Sequence, residues 1–82
     1  MKVYVLRQRL VTGYDTYDSA VVIAEDEESA RETSPSTWHT KESPYWSPDW
    51  VTWEDRHQID VEYLGETEIT EPGVVVASFN AG

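Results

Sequence analysis

Four short runs rich in β-branched and aromatic residues constrain this chain most, at residues 3–6, 19–24, 59–64 and 74–79. Each is too short for a long helix and suits a strand. Residues 2–12 read as the first strand. Val3, Tyr4, Val5 and Leu6 are apolar on both faces, as in a strand covered on both sides or lying inside a sheet. Arg7, Gln8 and Arg9 then turn polar, and residues 13–18 form a loop with Gly13 and the pairs Tyr14-Asp15 and Tyr17-Asp18. Residues 19–24 are the second strand, close enough to the first for antiparallel pairing. Residues 59–64 alternate, with Ile59, Val61 and Tyr63 inward and Asp60 and Glu62 outward. A polar turn runs from Gly65 to Glu71 and closes at Pro72-Gly73. It reads as a long hairpin, with part of residues 66–70 extending the pairing to the last strand at 74–79.

Between the two halves lies one helix signal. Residues 25–32 offer Asp26 as N-cap, Glu27 and Glu28 where the helix dipole favours negative charge, Ala30 for the sheet, and Pro35 as a stop. Residues 34–50 have loop composition, with Pro35, Pro44 and Pro48 each after a serine. They also carry Trp38, Tyr45, Trp46 and Trp50. Such a segment either folds down as a lid over the sheet or displays a binding surface. A small domain's need for large apolar side chains favours the lid. Ser47-Pro48-Asp49 is a possible helix opening that would put Trp50, Trp53, Glu54 and His57 on one face. The β-formers in residues 50–53 point instead to a short strand or irregular segment. The expected architecture is a single α+β domain over residues 1–82, an antiparallel sheet of four or five strands with one short helix packed on it. Its expected core is Tyr4, Leu6, Val22, Ile59, Val61, Val75 and Phe79.

At 82 residues the core is modest, because a chain this size buries about 60% of its unfolded surface. No cysteine is present, which excludes disulfides and thiolate chemistry. The longest strictly apolar runs, residues 20–24 and 74–77, fall far short of the ~20 residues of a membrane span. The N-terminus lacks the apolar stretch and cleavage site of a signal peptide, so a cytoplasmic location is expected. His39 and His57 have no further ligands at metal-binding spacing. The four glycines are isolated, so no phosphate loop occurs, and no nucleophile elbow is present. Neither cofactor, metal nor enzymatic activity is expected.

Charge is the functional signal. Sixteen acids face six bases, for a net charge of −10. Residues 15–32 carry seven acids against one base, and residues 42–71 carry nine against one. Such a body repels nucleic acid and anionic lipid and favours a basic protein partner. The expected contacts are Asp15, Asp18, Glu25, Asp26, Glu27 and Glu28, with Asp60 and Glu62 if their face is open. Trp38, Tyr45, Trp46, Trp50 and Trp53 are the aromatic surface candidates. Carboxylates crowded in this way imitate DNA, which presents one charge per about 1.7 Å of axis.

The stretch Tyr14-Asp15-Thr16-Tyr17-Asp18-Ser19-Ala20-Val21-Val22, the run Ala24-Glu25-Asp26-Glu27-Glu28-Ser29-Ala30-Arg31 and the segment from Pro72 to Gly82 resemble small, acidic, uncharacterised proteins of bacteriophages and prophages. The likeness covers both ends and leaves the aromatic middle unmatched. It assigns no functional residue. It implies a setting in a bacterial host cell, where such proteins are often inhibitors of defence, anti-CRISPR proteins and nucleic-acid mimics among them. The partner so implied is a subunit of a CRISPR surveillance complex. The alternative is a non-enzymatic phage structural or assembly accessory that binds a partner subunit through the aromatic segment.

Overall fold

The strands assemble in the order β3-β1-β2-β4, every neighbouring pair antiparallel. β1 spans Lys2–Arg7, β2 Thr16–Ala24, β3 Asp60–Glu66 and β4 Gly73–Asn80. The fold is that of a computed structural model that describes residues 1–36 and 49–80. The architecture is α+β, as the residue pattern implies. A short helix α1, Glu27–Arg31, and a 3-10 helix, Trp53–Gln58, accompany the sheet. Among the described residues, no helix is long and apolar enough to cross a membrane.

Alternation along the two central strands sets up the core. Tyr4 pairs with Val22 and Leu6 with Ala20, so these four point to one face. Ala24, Ala30 of α1, Trp50, Val51 and Ile59 complete the buried cluster, with Tyr17, Val61 and Ala77 packed on its rim. Val3, Val5 and Val21 lie half-buried on the other face.

β1 stops at Arg7, earlier than its sequence suggests. Gln8 is buried and holds the connection itself. Its Nε2 donates to the carbonyls of Val11 and Tyr17 at 2.7 and 2.8 Å, and its Oε1 accepts from Val11 N at 2.8 Å. Gly13 and Asp15 then adopt positive φ, which turns the chain out of the sheet. β2 begins three residues earlier than expected because Thr16 and Tyr17 pair with Asn80 and Phe79.

Three further expectations need correction. β3 and β4 are not a hairpin; they form opposite edges of the sheet. Residues 67–72 cross the ends of β1 and β2, where Thr67 N donates to Met1 O. Three inter-strand steps are about 14 Å, within reach of six residues. Edge position also exposes residues expected in the core. Val75, the extra residue of a β4 bulge, is 58% exposed, and Phe79 is 46% exposed although it packs on Tyr17, ring centroids 4.8 Å apart. Tyr63, expected inward, is 54% exposed and meets Tyr4 edge-on at 5.8 Å. Finally, residues 50–52 are irregular, as their composition suggests. The helical alternative holds, among the described residues, only from Trp53 on, as a 3-10 helix that starts where Asp55 N donates to Thr52 O at 3.1 Å.

Candidate acidic interface

The N-terminus of α1 arranges the densest acidic run. Asp26 is the N-cap, its Oδ1 accepting from Ser29 N at 2.8 Å. That backbone hydrogen bond, aided by the Ser29 hydroxyl and the Lys2 charge, holds the Asp26 carboxyl below the usual carboxylate range. Glu27 pairs with Arg31 at 2.8 Å, one turn on. Arg56 of the 3-10 helix lies between Glu28 and Glu32, with Nε–oxygen distances of 3.7 and 4.0 Å. Lys2 Nζ donates to the backbone carbonyl of Glu25 at 3.1 Å, leaving the Glu25 carboxylate unused by that contact.

The crossing segment brings more acid to the same end. Glu66 is the register partner of Lys2, and residues 67–72 pass from there to Gly73, opposite Ile23. Glu66, Glu68 and Glu71 therefore share an end of the sheet with Glu25, Asp26, Glu27, Glu28 and Glu32. A shallow groove between the two groups is lined by Met1, Lys2, Glu25, Glu66 and Thr70. Among the described residues, no cation lies within salt-bridge distance of Glu25, Glu66, Glu68 or Glu71. Eight acids thus stand against Lys2, Arg31 and Arg56.

The other expected contacts lie elsewhere. Asp15 immediately precedes β2 and Asp18 lies near its start, six residues or about 20 Å from Ala24 along the strand. Asp60 is opposite Arg7, at the same end as Asp18. Glu62 lies mid-strand and is exposed, but Arg7 Nη1 donates to its Oε1 at 2.9 Å. The eight acids singled out from the sequence thus fall into two groups at opposite ends, plus Glu62 in mid-strand. Glu66, Glu68 and Glu71 were missed as partners of the first group. Their charge was legible; their location depended on the strand order.

The aromatic candidates divide as well. Trp50 is 1% exposed and belongs to the core, which corrects its place among surface candidates. At that residue the lid reading holds. Trp53 is half-buried, with the Arg56 guanidinium carbon 4.2 Å from its ring centroid. Trp38, Tyr45 and Trp46 lie outside the described residues, as does His39. His57 is exposed on the 3-10 helix, and among the described residues no group of three ligating side chains is gathered for a metal. No family model, curated protein or solved structure matches the chain.

Proposed function

We propose that this chain is a non-enzymatic inhibitor that docks its acidic end onto a basic, nucleic-acid-binding surface of a bacterial defence complex and so excludes the nucleic acid. The observation behind this reading is the shared end of Glu25, Asp26, Glu27 and Glu28 with Glu66, Glu68 and Glu71, contributed by two segments distant in sequence. A local excess of carboxylates produces a directed field rather than a uniform one, and directed fields steer encounter with a basic groove. The resemblance to phage proteins makes a CRISPR surveillance complex in the host cytoplasm the target of choice. The test is affinity capture from a bacterial lysate at rising salt, with and without competing duplex DNA. A captured nucleic-acid-binding protein, released by the DNA and by moderate salt, agrees with the proposal. Capture indifferent to both refutes it.

A further inference from the structure

β4 is an edge strand whose one protective device, among the described residues, is the bulge at Val75. Edge strands expose unpaired backbone groups and are normally blunted by charge, proline, a bulge or cover. The opposite edge, β3, carries Asp60, Glu62 and Glu66. β4 carries no charge and no proline, and residues 72–82 are the longest run of the sequence without Asp, Glu, Lys or Arg. Val74, Val75, Val76 and Phe79 on this strand are 40–58% exposed. The strand is also held in place at its end. Asn80 Nδ2 donates to Gly13 O at 2.7 Å, and Asp15 N donates to Asn80 O.

From this we infer that β4 pairs antiparallel with β4 of a second copy, joining two four-stranded sheets into one of eight strands. The charge pattern selects the occupant. A body of net charge −10 repels its own copy over most of its surface. The uncharged edge is where two copies approach without setting like charges side by side. Antiparallel pairing of a strand with itself satisfies two-fold symmetry, and residues 76–80 run without a bulge in β4. The bulge at Val75 limits the pairing to this part of the strand, so the contact is small and the dimer weak, with a Kd between about 10 µM and 1 mM. This inference is independent of the acidic docking end, and its salt dependence has the opposite sign.

Sedimentation equilibrium over a concentration series tests it. The expected mass rises from the 9.4 kDa of one chain toward twice that value, and the association tightens as salt screens the repulsion between copies. Val76→Lys should abolish the rise while leaving the thermal midpoint nearly unchanged, because this side chain is 58% exposed. Ser78→Lys, at an exposed position inside the bulge-free stretch, is the second variant if the first loses its fold. A chain that stays monomeric to about 1 mM overturns the inference. So does a dimer that weakens with salt, or one that survives in both folded variants.

Discussion

Leu6 and Val22 are fully buried at the centre of the sheet, whereas Phe79, more apolar than either by surface, is nearly half exposed. Truncation separates the two situations. Leu6→Ala removes packing that nothing else fills and is expected to cost about 2–5 kcal/mol in urea denaturation. Phe79→Ala loses chiefly its contact with Tyr17, worth about 1 kcal/mol. Asp26 illustrates a residue whose role was legible from type and place. Its carboxylate caps α1, and its lowered pKa links it to pH in one direction. The folded-state pKa is below that of the unfolded chain. The stabilisation is therefore present above the usual carboxylate value near about 3.9 and is lost as pH falls through the lowered value. Asp26→Ala should lower the thermal midpoint at pH 7 and flatten its fall in acid, while Asp26→Ser retains most of the midpoint. Gln8 shows the opposite case. Nothing in the string Arg7-Gln8-Arg9 marks the central residue as the buried organiser of a turn, because its partners are backbone groups of Val11 and Tyr17.

Elements that rest on local chemistry were readable from the sequence. α1 begins at its cap, and β1, β2 and β4 sit close to the β-rich runs. Their ends and order were not, since these depend on partners far along the chain. The 65–73 connection is a hairpin by composition and a crossover by topology, and its length permits both. Burial followed the order: the same valine-rich run that would be core in a central strand is exposed in an edge strand. The sequence leaves the 3-10 helix as one alternative beside a strand or irregular segment, because its stabilising contacts are tertiary. Arg56 Nη1 donates to Trp53 O at 2.8 Å, its guanidinium covers the Trp53 ring, and its charge meets Glu28 and Glu32 across the gap to α1. Arg56→Ala is expected to cost about 1 kcal/mol in thermal or urea unfolding, mostly from the lost stack. Arg56→Met, which keeps an apolar stem over the ring, should cost less.

For the whole molecule, the consequence of strand order is electrostatic. The antiparallel pairing of β3 with β1 sets Glu66 opposite Lys2 and so fixes the end of the sheet at which Glu66, Glu68 and Glu71 lie. The crossover then carries residues 67–72 over the ends of β1 and β2 toward the acids of α1, while Asp15, Asp18 and Asp60 remain at the other end. The most direct test of the acidic end compares charge reversals there and at the far end in the lysate capture. Glu27 is unsuited because Arg31 holds it, and Asp15 because its positive φ resists lysine. Glu68→Lys with Glu71→Lys changes the acidic end, and Asp18→Lys with Asp60→Lys changes net charge equally at the other. The account predicts that the first double variant, still folded by its thermal midpoint, loses partner capture while the second retains it. Equal loss from both, or full capture by the first, would contradict it.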